Sequence, residues 1–444
     1  MSDPIRLKLA DAQDVGSYFV ANYPPFSVWT RNAVAADGVP ALHAPPRPQT
    51  PLGLYLHIPF CRKRCHFCYF RVYTDKNAQE IGQYLDVLGR EWEMYAAQPA
   101  IAGRPLNFVY FGGGTPSFLS TAQLQGLVDR LTAVTPWNQA EEITFECEPG
   151  TLTQHKLTAI RKMGVTRLSL GVENFDDRIL EINGRAHRSP EIETAYRFAR
   201  SLRFPQINID LIAGMLGETE ENWQRNIERT IALEPDSVTI YQMELPYNTT
   251  ISKDLLQKTG QMTGSLAGWE TKRRWVQEAF AALERVGYHI GSAYTAVKDP
   301  ATTRFVYRDR LWQGADMAGL GVASFGHVNG VHLQNKDTWE AYSEAILRGE
   351  LPLGRAYRPT PEERMRRELV LQLKKGRLDP AYFAAKYQAD IIAKFHDQWA
   401  GLRAEGYLSQ ASADGVALTR DGLMRVDSLL PRFFLPQHTN IRYT

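Results

Sequence analysis

Residues 55–68 read Tyr55-Leu56-His57-Ile58-Pro59-Phe60-Cys61-Arg62-Lys63-Arg64-Cys65-His66-Phe67-Cys68, an apolar β-prone run that breaks at a proline and opens onto three cysteines. The spacing is Cys-x3-Cys-x2-Cys, and these are three of only 4 cysteines in 444 residues. A disulfide framework spreads its cysteines over a fold, whereas a tight group in a large chain reads as metal ligation or redox chemistry. Three thiolates on one loop can bind three irons of a cubane 4Fe-4S cluster and leave the fourth iron without a protein ligand. The alternative is a structural zinc site. Zinc takes four protein ligands, commonly from two paired knuckles, and Cys147 stands alone, able to join only by tertiary approach. The spacing therefore favours Cys61, Cys65 and Cys68 as cluster ligands. With three thiolates present, His57 and His66 read as structural supports rather than further ligands. For Arg62, Lys63 and Arg64, a solvated loop and electrostatic support of an anionic cluster or its electron donor stand as equal readings.

Outward from this loop the chain keeps a repeating rhythm. Short β-rich runs at 54–58, 108–111, 143–147, 167–172, 207–212 and 237–241 alternate with stretches of helical period. In the first such stretch Ile81, Tyr84, Leu85, Leu88, Trp92 and Tyr95 fall on one helix face. The others lie near 121–133, 153–163, 189–203, 219–233 and 267–287. Six strand–helix units argue for parallel strands with right-handed crossovers. That is too few for a closed eight-fold barrel, so a partial (β/α)6 barrel or a doubly wound sheet is expected, with a further strand near 289–294 at one edge. Residues 1–52 are proline-rich and aperiodic and read as an irregular arm, whose Tyr18, Phe19, Tyr23, Phe26 and Trp29 are available for packing. The barrel is expected over 53–295, and over 296–360 a connecting segment that completes the barrel on the substrate side. A mainly helical module is expected over 361–444, with helices at 364–374, 380–387 and 391–405, a hairpin at 406–419 and a helix from Arg420. That pattern fits a winged helix and, nearly as well, a generic helical cap.

The remaining motifs sit at strand ends. Phe111-Gly112-Gly113-Gly114-Thr115-Pro116-Ser117 follows the second strand, and three glycines let backbone turn sharply and approach a ligand. No Gly-Lys-Ser/Thr follows, so it is not a phosphate-binding P-loop. Glu146 and Glu148 end the third strand, Glu173 and Asn174 the fourth, and Asp210 lies in the fifth. Ligands of parallel α/β folds gather at the carboxyl ends of strands, although Asp176 and Asp177 read as helix caps. Arg185 is placed to pair with a carboxylate of substrate or cofactor, or to form an ordinary surface ion pair.

The bulk numbers exclude several classes. Apolar residues make up 44% and charged residues 23%, and 51 basic against 49 acidic side chains leave a net charge of +2. This suggests neither nucleic acid nor an acidic membrane as a partner. No apolar run reaches the roughly 18 residues of a membrane span, and the N-terminus lacks a signal-peptide pattern. A cytoplasmic protein is expected.

Together, 55–68, 111–117, 145–149, 168–175, 208–214 and 319–326 resemble the oxygen-independent coproporphyrinogen III oxidase-like branch of the radical S-adenosylmethionine (SAM) superfamily. The resemblance runs from about residue 50 to 345 and more loosely to the end. It implies a partial (β/α)6 barrel with a C-terminal helical or winged domain. It also implies a 4Fe-4S cluster whose open iron chelates S-adenosylmethionine, and reductive cleavage of the sulfonium to a 5′-deoxyadenosyl radical. Carried over by position, Tyr55 would pack beside that S-adenosylmethionine and Glu146 would bind its ribose. Gly113 and Asp210 fall on further cofactor-contact positions, as do Phe67, Gly114, Thr115, Glu173 and Arg185, some of which serve a second S-adenosylmethionine in the oxidase. The implied partners are a small-molecule tetrapyrrole and a reduced flavodoxin- or ferredoxin-type donor, acting on a monomer. The implied reaction is oxidative decarboxylation of propionate side chains in porphyrin biosynthesis. Alternatives within the branch are a radical methyltransferase or cyclopropanating enzyme, and a heme-binding chaperone. Two positions depart from the oxidase pattern: Phe70 stands where the oxidases carry a further cysteine, and Glu173 where they carry glutamine. The chaperone's His-Asn-x-x-Tyr-Trp motif corresponds here to Tyr307-Arg308-Asp309-Arg310-Leu311-Trp312, which has no histidine.

Overall fold

The fold is seen in a computed structural model that describes residues 20–257 and 264–439. Tyr18 and Phe19 lie outside the described residues. The sequence rhythm becomes six parallel strands: β1 (Leu52–Ile58), β2 (Phe108–Gly113), β3 (Glu142–Cys147), β4 (Arg167–Glu173), β5 (Gln206–Ala213) and β6 (Ser237–Gln242). They pair in chain order. Helices Ala78–Ala96, Thr121–Val134, Gln154–Lys162, Ser189–Ser201, Glu220–Leu233 and Trp269–Arg285 alternate with them, giving the expected six β/α units of an open, partial barrel. The helix starts are legible locally. Asn77 and Glu80 form a reciprocal capping box ahead of Ala78–Ala96, and Ser120 with Gln123 does the same for Thr121–Val134.

Alternation along each strand sorts its side chains. On β5, Ile207, Ile209 and Leu211 are buried core residues, whereas Asn208 and Asp210 join a polar network. Asn208 donates to Ser169 Oγ at 3.0 Å and accepts from Ser237 Oγ and Thr239 Oγ1 at 2.8 and 3.0 Å. The inner face of the barrel is therefore polar around β4–β6, and a buried polar network of this kind is stable only when its members are satisfied.

Beyond β6 the sheet continues with β7 (His289–Ile290) and β8 (Thr295–Val297), antiparallel, with β7 outermost. Within the expected connecting segment, residues 316–357 carry strands. They form β9 (Asp316–Leu320), which pairs parallel to β1, and then the antiparallel β10 (Phe325–Val328), β11 (Val331–Asn335) and β12 (Leu353–Tyr357). These strands are short and interrupted by glycine, which hides their period. Gly319 is required there, because a Cβ on it would lie 2.0 Å from the carbonyl oxygen of Phe325. The arm seals the edge: Thr30 exchanges both backbone hydrogen bonds with Ala356 at 3.0 Å, and Trp29 stacks on His332 with ring centroids 4.8 Å apart.

The C-terminal region carries β13 (Arg377–Leu378), β14 (Leu408–Ser412) and β15 (Gly415–Leu418) in the order β13-β15-β14. Helices Pro361–Leu373, Pro380–Tyr387, Ile391–Lys394 and His396–Ala404 pack beside them. The expected 391–405 helix is broken at Phe395, whose backbone leaves helical geometry (φ −113°, ψ 30°). The region thus combines a small three-stranded sheet with short helices.

Glu91 ties the β9–β11 extension to the first helix. It accepts from Tyr342 Oη at 2.6 Å, Asn335 Nδ2 at 2.6 Å and the Gly321 amide at 2.8 Å. Burial pushes its carboxyl up to about 7 against those hydrogen bonds. Glu91→Ala leaves two buried donors, Tyr342 Oη and the Gly321 amide, without an acceptor and is expected to cost about 3 kcal/mol, read as an earlier midpoint in chemical denaturation.

Candidate cofactor site

The loop after β1 is tied at its base by backbone. The Tyr73 amide donates to the Pro59 carbonyl at 2.7 Å, and the Cys61 amide to the Tyr73 carbonyl at 3.1 Å. The glycine turn after β2 forms its second support. Gly114 and Thr115 amides donate to the Ile58 and Phe60 carbonyls, each at 2.8 Å. A Cβ on Gly114 would lie 2.8 Å from the Ile58 oxygen, and one on Gly113 (φ 106°) 2.4 Å from Nδ1 of His57. The glycines are thus explained first by close backbone approach to the cysteine loop.

Both histidines serve the loop. His57 Nε2 lies 3.3 Å from the Arg71 carbonyl, and His66 Nδ1 3.0 Å from the Ile182 carbonyl. Burial pushes the His57 imidazole down to about 4, so it is neutral at physiological pH. Arg62 is neither loose nor merely solvated. It grips Glu148 at the end of β3 through two bonds of 3.0 and 2.9 Å. His187 Nδ1 lies 3.4 Å from the same carboxylate. Burial alone would raise Glu148, but the bonds from His187 and Arg62, with Arg185 nearby, bring it down to about 2. Arg64 donates to the Cys68 carbonyl at 3.2 Å.

Cys61, Cys65 and Cys68 all line a cavity of about 660 Å³ at the carboxyl ends of the strands, within the usual range of small-molecule sites. Thr115 Oγ1 lies 3.3 Å from Cys61 Sγ, and Arg185 Nη1 lies 3.4 Å from Cys65 Sγ. Burial pushes the Cys61 thiol up to about 12 and the Cys68 thiol to about 11, and the neighbouring sulfurs raise both further. Among the described residues no three His, Cys, Asp or Glu side chains converge on a point that a single metal ion could fill. Three half-buried thiols with an arginine and a hydroxyl beside two of them suit an anionic iron–sulfur group.

The expected cofactor contacts are mostly brought together. Phe67, Gly113, Gly114, Thr115, Glu146, Glu173, Arg185 and Asp210 line the same cavity as the cysteines. Glu146 accepts from Tyr110 Oη at 2.6 Å and from the Gly113 amide at 3.2 Å. Burial outweighs the Tyr110 bond, and nearby Asp210 adds to it, so Glu146 rises to about 7. Asp210 accepts from Ser169 Oγ at 2.8 Å and Asn208 Nδ2 at 2.9 Å and is raised by burial. Glu173 adopts left-handed backbone (φ 63°) at a bulge in β4, and burial pushes its carboxyl to about 7 against the pull of Arg185. Arg185 Nη2 lies 3.7 Å from Glu173 Oε1, while its buried Nε has no partner among the described residues. Tyr55 is the exception. It stands behind the wall, its ring stacked on Tyr110 with centroids 5.8 Å apart, and is not part of the cavity lining.

Sequence reasoning missed three contributors. Arg167, in phase with Ser169, Gly171 and Glu173 along β4, reaches the cavity with Nε and Nη1 unpartnered among the described residues. That alternation was the available signal. Tyr110 holds Glu146. The C-terminal segment supplies Met424, Arg425, Asp427 and Ser428 to the wall, latched by Gln242 Nε2 donating to the Met424 carbonyl at 2.9 Å.

Comparison with known proteins follows this geometry. The sequence model described as "Radical SAM superfamily" matches residues 55–229, from the strand before the cysteines to the helix after β5. That stretch, which holds the cysteine loop and the first five strands, is similar to the radical SAM superfamily. A 4Fe-4S cluster and S-adenosylmethionine are the cofactors that go with the matched family. The chain is similar to Heme chaperone HemW of Bacillus subtilis, 28% identical over 371 residues, covering 83% of this chain and 95% of that one. It is equally similar, at 28% over 391 residues, to Oxygen-independent coproporphyrinogen III oxidase of Escherichia coli, with 86% of this chain and 81% of that one covered. The solved structure of the Escherichia coli coproporphyrinogen III oxidase shares the fold with a TM-score of 0.80 at 24% identity, over 95% of this chain and 99% of that one. Among the described residues no helix is long and apolar enough to cross a membrane.

Proposed function

We propose that this chain is a radical SAM oxidoreductase that acts without oxygen on a tetrapyrrole carrying propionate side chains, of the coproporphyrinogen type. The observation that carries the reading is the convergence of Cys61, Cys65 and Cys68 with Glu146, Glu173, Arg185 and Asp210 on one cavity at the mouth of the partial barrel. Cys61, Cys65 and Cys68 would hold the cluster, which when bound supplies one electron, delivered by a flavodoxin- or ferredoxin-type donor, to the sulfonium of S-adenosylmethionine. Thr115 and Arg185 would direct their donors at the ligating sulfurs, and such hydrogen bonds tune a cluster's potential. Glu146, fixed by Tyr110 and the Gly113 amide, keeps acceptor capacity for ribose hydroxyls. The free Nε of Arg185 would take a carboxylate oxygen. Met424–Ser428 would keep water from the reacting carbon. The substrate would give a propionate hydrogen atom to the 5′-deoxyadenosyl radical, forming 5′-deoxyadenosine, then release carbon dioxide and pass the remaining electron to an external one-electron acceptor, leaving a vinyl group.

Glu146→Ala is expected to raise the S-adenosylmethionine concentration for half-maximal cleavage at least about tenfold, worth about 1.4 kcal/mol, measured by 5′-deoxyadenosine formation. The substrate assignment is tested by anaerobic incubation of the reconstituted, reduced protein with coproporphyrinogen III and S-adenosylmethionine. Release of carbon dioxide is expected. Unchanged porphyrinogen alongside continued cofactor cleavage would overturn the substrate and leave the radical chemistry standing. A second reading, a heme chaperone, is favoured by the similarity to the Bacillus subtilis protein. It predicts stoichiometric heme binding without decarboxylation, although the Tyr307–Trp312 stretch has no histidine to offer.

A further inference from the structure

A second crevice, of about 640 Å³, shares no lining residue with the cofactor cavity. It opens where the segment before β1, the helix Val306–Trp312 and the β10–β11 hairpin meet the C-terminal helices Pro361–Leu373 and Pro380–Tyr387. Its walls carry Arg47, Arg310, Arg364, Arg367 and Lys386, with Glu368 the acid among them.

The counter-charges fall short. Arg310 is matched by Glu141 at 2.8 Å, and Lys386 by Glu368 at 2.8 Å. Arg47 and Arg104 share the single carboxylate of Asp316. Arg364 and Arg367 have no ion pair among the described residues. Arg364 donates to the Pro359 carbonyl at 3.2 Å. Arg367, 6% exposed, donates to Asn22 Oδ1 at 2.7 Å and to the Leu311 carbonyl at 3.1 Å. Its nearest acid is Glu368, which is already held by Lys386 and Tyr382. Three positive charges therefore remain over, one of them on a buried guanidinium bonded only to neutral groups. Arg47 Nε is also buried without a partner among the described residues.

A buried charge is costly unless it is paired. The field reaches His327 on the crevice wall, whose imidazole is held well below its ordinary range, first by burial and then by Arg367, His332, Arg47 and Arg364. Forked guanidiniums converging from separate segments match the oxygens of a multivalent oxyanion. We propose that this crevice is a binding site for a small phosphate-bearing anion, which bridges the C-terminal helices to the barrel by filling the charge deficit around Arg364 and Arg367.

Titration of pyrophosphate into the purified, cluster-loaded protein at constant ionic strength, followed by calorimetry, tests this. One saturable site per chain is expected, with acetate binding at least about tenfold more weakly. Arg364→Ser and Lys386→Ser should each weaken pyrophosphate at least tenfold and leave S-adenosylmethionine cleavage unchanged. Arg197→Ser, on a solvent-facing side chain that is 77% exposed, should leave pyrophosphate binding unchanged. No saturable binding, equal binding of acetate, or equal weakening by Arg197→Ser would overturn the site.

Discussion

Cys65→Ala is expected to lower cluster loading and S-adenosylmethionine cleavage to background, a fall of at least about a thousandfold, since the cofactor carries the hard chemistry. The thiol lies in the cavity beside Arg185, and Cys147, which also lines the cavity, is on a strand rather than on the cysteine loop. Cys147, the fourth, sits on β3 with its sulfur 3.8 Å from the Phe145 carbonyl oxygen. Cys147→Ala is therefore the matched control and should retain iron, sulfide and activity. Loading should also depend on pH in a defined direction. Burial holds the Cys61 and Cys68 thiols at about 12 and about 11, so both are protonated at neutral pH in the empty site. Ligation must displace those protons, and reconstitution should become tighter as pH rises. Iron and sulfide analysis of the three alanine variants and of Cys147→Ala checks both statements.

Glu148→Gln should produce the largest effect on stability among the site residues that touch no cysteine. The carboxylate receives two bonds from Arg62 and faces His187 and Arg185, which together overcome burial and bring it to about 2. A folded-state value below the ordinary carboxyl value of 4.5 stabilises the fold wherever the group is ionised in the unfolded chain. That stabilisation, about 3 kcal/mol, is complete above pH 4.5 and is lost as pH falls toward 2. Unfolding free energies of the metal-free wild type and of Glu148→Gln should thus differ by about 3 kcal/mol at pH 7 and converge in acid. A gap that stays constant down to pH 3 would show that the ion pair is not its source. Loss of the Arg62 anchor should also loosen the cysteine loop and lower cluster loading.

The sequence made the barrel legible because each of its signals is local. Period-two and period-3.6 patterns marked β1 to β6 and their helices to within a few residues, and Pro380–Tyr387 fell where its pattern lay. The site was legible where residue type and spacing carry chemistry, as in the cysteine triplet, the glycine turn and the strand-end carboxylates. What stayed hidden depends on distant pairing. Arg62 meets Glu148 across 86 positions and Gln242 meets Met424 across 182, and no local pattern encodes either contact. β9 pairs with β1 although more than two hundred residues separate them. The break at Phe395 splits a stretch that keeps helical period, and the expected helix from Arg420 likewise stops at Met424, with Arg425 (φ −117°, ψ 16°) leading into Val426–Leu429. Tyr55 stacks on Tyr110, which lines the cavity while Tyr55 does not, a placement that side-chain packing decides rather than any local pattern.

The most direct test of the central claim is anaerobic reconstitution with iron and sulfide, reduction, and measurement of 5′-deoxyadenosine released from S-adenosylmethionine. Steady formation in the wild type that disappears in Cys61→Ala, Cys65→Ala and Cys68→Ala, and persists in Cys147→Ala, is the predicted result. Formation that survives loss of any one of the three clustered thiols would contradict it.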